Sequence, residues 1–317
     1  MCNVPHIVPG RAQCPALTCW SRSAPNRLAC CLCRPCRRGN GQHYDHSRRE
    51  DHPPAAGAAS IKTSPYVALG DSYSSGAGVN PPVVGSPATC SRSQLNYSED
   101  IAKSTHPAAF TDVTCSGAKT SNFFTSQAAG VAPQLDAVGN DTRLVTMTIG
   151  GNDEDVFVRS FFGCAFTGDP TGNPCEQKYG STFTDLIKNQ TYPNLVNALS
   201  AVRAKAPHAS IVILGYPQIL PAVATPACYA VTGISEGDVP WLVNQQKVAN
   251  DAVRRAAAAT GARYVDTYTP SEGHDACAPA TVRWMEPLVA PINAYPVHPN
   301  ATGEAALARE TLAAIGR

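Results

Sequence analysis

The sequence predicts an α/β domain of three layers, α/β/α, built on a central parallel sheet. Three observations carry this. Short apolar, β-branched runs recur between residues 66 and 265, as strands buried on both faces do. Longer stretches of helical character separate them, and strand–helix alternation is what feeds a parallel sheet. Polar, glycine-containing loops follow the first three runs, at the strand ends where open α/β sheets gather their chemistry.

Taken in order, strands are expected at 67–69, 110–114, 144–149, 211–214 and 264–265. The first helical stretch, 182–206, contains Pro193, which lacks an N–H and should break or kink it. The second, 238–261, opens with Asp238 as N-cap and Pro240 in the first turn, and stops at Gly261. The third, 300–316, closes the chain.

The formal charge of +1 hides an asymmetry. Residues 1–60 hold eight Arg against three acids, giving +5; the remainder holds 17 Lys+Arg against 21 Asp+Glu, giving −4. A mildly acidic domain argues against nucleic acid as a partner. Residues 1–60 lack an apolar period and end in "DHPPAAGAAS", so a disordered tail and linker are expected there, with the domain over 61–317. Within the tail, Cys33 and Cys36 have ligand spacing, but His43 follows too soon for a zinc-finger helix, and no metal is expected. No run is long enough to span a bilayer. "PALTCW" and "RLACCLC" are too short, and too interrupted by Pro and Arg, to form the apolar core of a secretory leader. The expectation is a mature chain that starts downstream of Met1, or an unusual leader.

Seven cysteines fall in the first 36 residues, and six follow: Cys90, Cys115, Cys164, Cys175, Cys228 and Cys277. Six well-spread cysteines predict three disulfides and an oxidising compartment, with buried free thiols as the alternative.

The run "YVAL" stops at Gly70-Asp71-Ser72, so a strand ends in a serine with little bulk around it. A serine nucleophile needs a base, and the oxyanion it creates needs donors already in place. Ser72 can offer both its Oγ and its own N–H. Gly117, without a Cβ, lets its N–H approach closely, and Asn152 in "GGND" can donate from its amide. Each has a plain structural alternative: Ser72 as a helix N-cap, Gly117 as a turn glycine, "GGND" as a strand-exit turn. Asp71 is expected to shape the turn. Of the four domain histidines, His106 and His208 lie in loops expected to be exposed, and His274 adjoins Asp275. His298 precedes the last helix in a loop whose two prolines can hold an imidazole at a fixed angle.

The blocks "GDSYSSGAG", "CSGA", "TIGGND" and "VHPNATG" occur in the order and at the spacings of the SGNH, or GDSL-type, hydrolases. "QLDAVGNDTRLVTMTIGGND" resembles the secreted actinobacterial lipase/phospholipase (esterase) branch, and the six cysteines sit where that branch has sequential disulfides. The resemblance covers the chain from about residue 65 to its end. It implies a flavodoxin-like fold without metal or cofactor, Ser72 as nucleophile, and His298 as base. It also implies an oxyanion site of Ser72 N–H, Gly117 and Asn152, and the pairs Cys90–Cys115, Cys164–Cys175 and Cys228–Cys277. Much of the superfamily has Asp three residues before the His, where this chain has Tyr295. Some members use a main-chain carbonyl instead, so the carbonyl of Tyr295 or Pro296 is expected to take the Nδ1 proton, with Asp275 as the rival.

The resulting expectation is a secreted, monomeric serine carboxylic-ester hydrolase acting on small-molecule or lipid esters, with transient lipid-surface contact at most. Phe123-Phe124, 156–166 and 239–243 are candidate acyl-groove linings, and core packing explains them equally well. The alternatives are a carbohydrate O-acetyl esterase and a non-catalytic lipid- or glycan-binding module on the same fold.

Overall fold

The computed structural model describes residues 64–317. The expectations for the tail 1–60, including its linker, its starting point and the rejected zinc reading, lie outside the described residues.

Five strands, β1 (Pro65–Ala68), β2 (Ala109–Asp112), β3 (Leu144–Met147), β4 (Ser210–Leu214) and β5 (Arg263–Val265), form one sheet in the order β2-β1-β3-β4-β5. Every pairing is parallel, with Val67 opposite both Thr111 and Val145, and Val145 opposite Ile211. From β1 the chain moves outward to β2, then returns past β1 to β3 and continues the other way. The order therefore reverses between β1 and β3, and the crevice outside their carboxyl ends is where such sheets bind ligands.

All five expected strands are present, with shifted ends. β2 stops at Asp112 rather than 114 because the Asp112 carboxylate accepts the Thr114 N–H and hydroxyl, which turns the chain. β3 stops at Met147 because the next amide, Thr148 N–H, is taken by the Ser74 hydroxyl at 2.7 Å.

The helices are α1 (Ser72–Ser75), α2 (Tyr97–Thr105), α3 (Pro174–Tyr179), α4 (Thr182–Leu186), α5 (Tyr192–Lys205), α6 (Pro226–Thr232), α7 (Val239–Thr260) and α8 (Ala301–Ala314). The stretch expected as one helix over 182–206 divides into α4, a π turn at Ile187–Thr191, and α5 with Pro193 in its first turn, the position that proline tolerates. Asp238 precedes α7 but does not cap it. Its backbone is already helical, and its carboxylate accepts the Cys175 and Glu176 amides at the start of α3.

Alternating side chains divide the sheet into two buried faces. Val67, Leu69, Val145, Met147, Ile211 and Ile213 pack against Leu195, Leu199 and Val202 of α5 and Val253 and Ala256 of α7. Tyr66, Ala68, Leu144, Val212 and Leu214 pack against Tyr97 and Ile101 of α2 and Leu307 of α8. A third apolar cluster caps the carboxyl end of the sheet, with Tyr73, Phe161, Tyr216, Ile219, Leu242, Met285 and Val297. Disulfides Cys90–Cys115, Cys164–Cys175 and Cys228–Cys277 join the loops around that end across separations of 25, 11 and 49 residues. On a chain-entropy argument each contributes about 2–4 kcal/mol. Among the described residues no helix is long and apolar enough to cross a membrane.

Gly70 makes the strand-to-helix turn possible. It sits at φ +125°, and a Cβ there would lie 2.5 Å from both the Ser74 Oγ and the Thr148 carbonyl oxygen. Gly261, at φ +66° past the end of α7, has open space around it. Gly70→Ala should therefore lower stability in urea unfolding by more than ~2 kcal/mol, because backbone must move, while Gly261→Ala should cost only about 1–2 kcal/mol of left-handed strain. Equal effects at the two sites would contradict this account of the turn.

Candidate active site

The first wall of the site is the turn after β1. The Leu69 and Asp71 amides still bond to the β3 side, at the Thr146 and Thr148 carbonyls, and Gln134 clasps Gly70 by both its N–H (2.7 Å) and its C=O (2.9 Å). Asp71 is the N-cap of α1, its carboxylate accepting the Tyr73 N–H. Ser72 is thus the first residue of a one-turn helix and not its cap, so the structural alternative for Ser72 falls to its neighbour. The buried Asp71 carboxylate also accepts the Thr148 hydroxyl (2.7 Å) and the Tyr216 hydroxyl (2.5 Å). Burial pushes its pKa up to about 6, against the pull of these donors.

The second wall is the loop after β3. Gly151 donates its N–H to the Tyr216 hydroxyl at 2.8 Å. Tyr216 therefore bridges the turn holding Ser72 and the loop holding Asn152. Asn152 donates one amide hydrogen to the Ala118 carbonyl at 3.1 Å, and its second hydrogen remains to serve a ligand. Next in sequence, Asp153 accepts both the Thr120 N–H (2.9 Å) and the Thr120 hydroxyl (2.6 Å). These bonds clamp the Asn152 loop to the loop after β2, where Gly117 sits exposed at φ +77°.

The third wall is the approach to α8. His298 Nδ1 lies 2.8 Å from the Pro296 carbonyl. A carbonyl can only accept, so the proton is on Nδ1 and Nε2 is left as an acceptor. The Tyr295 carbonyl accepts the His298 main-chain N–H instead (3.2 Å), and Asp275 spends a carboxylate oxygen on the Cys277 amide within its own turn. Of the three candidate orienting groups, Pro296 is the one bonded to Nδ1. His106 and His208 are exposed, and His274 stacks on Trp284 with ring centroids 4.2 Å apart.

This wall is held under strain. Val297 has φ +56°, a left-handed conformation that is a genuine outlier for a β-branched residue. Its N–H donates to the Glu286 carbonyl (3.0 Å), the Glu286 N–H donates to the His298 carbonyl (2.9 Å), and the Tyr73 hydroxyl donates to the Val297 carbonyl at 2.6 Å. Glu286 is itself buried, with its carboxylate bonded to Arg283, to the Ile292 N–H and to Asn300. The Tyr73 ring lies 5.1 Å from the His298 imidazole and meets Tyr216 edge-on at the same distance. Tyr73 and Tyr216 thus join all three walls, and neither stood out in the sequence analysis. Tyr73 did leave a signal, as the one bulky side chain in "GDSYSSGAG"; Tyr216, at the carboxyl end of β4, left less.

Ser72, Asn152 and His298 line one cleft of about 50 Å³, with Asp71 and Tyr73 at its floor and Phe157, Val158, Phe161, Phe162, Ile219 and Val297 on its walls. Gly117 is not among its lining residues. Of the three apolar segments expected as groove linings, only 156–166 reaches the cleft. Phe123 is in the main core, and Val239, Leu242 and Val243 pack in the carboxyl-end cluster. A more polar cavity of about 210 Å³ opens beside the start of α8, between Asn80, Arg283 and Asn300, and contains neither Ser72 nor His298. Apolar surroundings lower the pKa of His298, and the Pro296 bond only partly opposes this.

Comparison with known proteins identifies the family. Residues 68–306 match the model of the GDSL-like Lipase/Acylhydrolase family. Lipase 2 of Streptomyces coelicolor is 49% identical over 265 residues, which are 83% of this chain and 89% of that protein. A lipase of Streptomyces rimosus is 32% identical, covering 79% of this chain and 86% of its own. Among solved structures, phospholipase A1 from Streptomyces albidoflavus superposes with a TM-score of 0.65 at 29% identity, over 79% of this chain and 98% of that one. The extracellular lipase of Streptomyces rimosus gives 0.66 at 28% identity, over 79% and 99%. The chain belongs to the GDSL-like lipase/acylhydrolase family, and its chemistry is the hydrolysis of carboxylic esters.

Proposed function

We propose that this hydrolysis runs through an acyl-enzyme on Ser72, with His298 as general base and then general acid. The Ser72 Oγ attacks the acyl carbon and its proton passes to His298 Nε2. The oxyanion is met by the Ser72 N–H, the Gly117 N–H and the free hydrogen of the Asn152 amide. Collapse expels the alcohol, which takes the proton from His298, and water then releases the acid by the same steps. The observation that carries the reading is one cleft lined by Ser72, Asn152 and an imidazole whose Nδ1 is already committed to Pro296. In the imidazolium state the Pro296 carbonyl stabilises the charge less than a carboxylate would. A base already biased toward its neutral form by apolar surroundings fits that weaker support.

The substrate class we assign is the acyl ester of a lipid. The cleft walls are aromatic and aliphatic, and its polar groups are those given roles in the chemistry or in the floor beneath it. Deacetylation of a carbohydrate would call for further polar side chains around the sugar, and the cleft lining offers none. A non-catalytic binding module has no use for the committed Nδ1. We assign the catalytic unit to residues 61–317, with the segment 1–60 outside it, acting as an extracellular monomer. The three disulfides favour an oxidising compartment, and one structural relative is described as extracellular.

Three measurements test the mechanism. Ser72→Ala should abolish turnover of a p-nitrophenyl ester and covalent labelling by a fluorophosphonate while leaving the thermal midpoint unchanged; retained turnover refutes the nucleophile. The acid limb of kcat/KM should fall below the ordinary histidine value of ~6.5, because the base must be neutral and the site depresses its pKa. Tyr73→Phe should lower kcat roughly tenfold, the scale of one lost hydrogen bond, and move that limb upward toward ~6.5 as water reaches a loosened His298. An unmoved limb would reduce Tyr73 to a packing residue.

A further inference from the structure

Ten large apolar side chains are exposed among the described residues: Val84, Phe124, Val158, Phe162, Phe166, Val223, Val282, Val289, Ile292 and Tyr295. Every one lies in a connection that leaves the carboxyl end of a strand. None lies on the helices α2, α5, α7 or α8 that cover the sheet, or in the turns that lead back into a strand. The most exposed of those in the loops after β3, β4 and β5 are Val223 (75%), Ile292 (69%) and Phe166 (64%). Exposed apolar residues are ordinary when scattered; confinement to one end of a domain is not.

Two of the segments that bear them carry no charge. Residues 217–235 contain no Asp, Glu, Lys, Arg or His, and neither do residues 287–297. At the chain's 15% charged content, 30 such residues would carry four or five charges. Arg159, the cation of the 156–166 stretch, lies over the Phe183 ring of α4 at 5.3 Å. The segments are joined to one another: the Phe166 N–H donates to the Gly233 carbonyl, and the Val289 N–H to the Val231 carbonyl. Ala165, Ala224 and Leu288, the neighbours of Phe166, Val223 and Val289, pack into the same cluster whose Tyr73, Phe161, Ile219 and Val297 line the cleft.

We propose that this rim, with Phe166, Val223 and Val289 as anchors, docks the domain on the surface of aggregated zwitterionic or neutral lipid, with the Ser72 cleft facing that surface. The proposal rests on the assignment of ester hydrolysis to that cleft. A protein partner on the same rim would cover the mouth through which the ester must enter, whereas a lipid surface delivers the ester to it. The scarcity of basic residues on the rim removes the attraction that draws basic segments to anionic lipid, so binding should not depend on anionic headgroups.

The test uses the full chain and the triple variant Phe166→Ser/Val223→Ser/Val289→Ser, three residues outside the cleft. With Ser72→Ala added so that vesicles survive, the parent should co-sediment with phosphatidylcholine vesicles, and the triple variant should bind at least tenfold more weakly. Adding phosphatidylglycerol should not raise binding. With Ser72 intact, the triple variant should keep its thermal midpoint and its turnover of a water-soluble short-chain ester within about twofold, while losing at least tenfold on lipid vesicles. A parent that ignores vesicles, a triple variant that binds them equally, or binding that appears only with phosphatidylglycerol would overturn the proposal. So would a parent that sediments as a dimer which the triple variant dissociates, because a second copy would then be the occupant. A parent that binds vesicles but leaves the soluble ester intact would overturn the hydrolytic role of Ser72 and leave the docking face standing.

Discussion

A single buried carboxylate holds the geometry of this molecule together. Asp71 accepts from the Tyr73 N–H, the Thr148 hydroxyl and the Tyr216 hydroxyl. Through these three donors it fixes the helix that begins at Ser72, the end of β3, and the exit from β4. Burying a carboxylate is unfavourable, which is why its pKa rises to about 6. The site retains it because a hydrogen-bonded acceptor at that point joins segments that are far apart in sequence. Tyr216 extends the chain of bonds one step further, to the Gly151 N–H beside Asn152.

The loop carrying His298 is organised on a different principle. Its backbone contains a β-branched residue in the left-handed region, and such strain persists only where the surroundings over-determine it. Here they do so through the bridge to Glu286, the Tyr73 hydroxyl on the Val297 carbonyl, and a buried Glu286 bonded on several sides. The consequence is a carbonyl, that of Pro296, placed at Nδ1. The imidazole is thus oriented by backbone geometry, and its neutral form is favoured by the apolar cleft wall.

The carboxyl end of the sheet combines two demands that ordinarily conflict. It concentrates buried polar bonds at its floor and exposed apolar side chains at its rim. The disulfides and the third apolar cluster make this possible, because they hold long loops in place where regular secondary structure is sparse. The long covering helix α7 carries exposed charge, including Lys247, Asp251, Arg254 and Arg255.

Much of the fold was legible in the sequence because its signals are local. Strand runs, the stop at Gly70 and the effect of Pro193 all depend on backbone preferences of a few neighbouring residues. The strand ends were legible only to within a residue or two, since Asp112 and Ser74 end β2 and β3 by side-chain bonds that periodicity does not register. Ser72, Gly117, Asn152 and His298 could be singled out by residue type and by resemblance. The sequence by itself therefore determined the layers, the chemistry-bearing residue types and the charge-free character of the rim segments. Only the tertiary structure decided that Pro296 rather than Asp275 meets Nδ1, that Asp238 caps α3 and not α7, and that Tyr73 and Tyr216 tie the walls together. Those outcomes depend on which atoms approach within about 3 Å across separations as large as 224 residues, as between Tyr73 and Val297. No local preference encodes such a distance; it is fixed when the sheet closes and its loops are packed together.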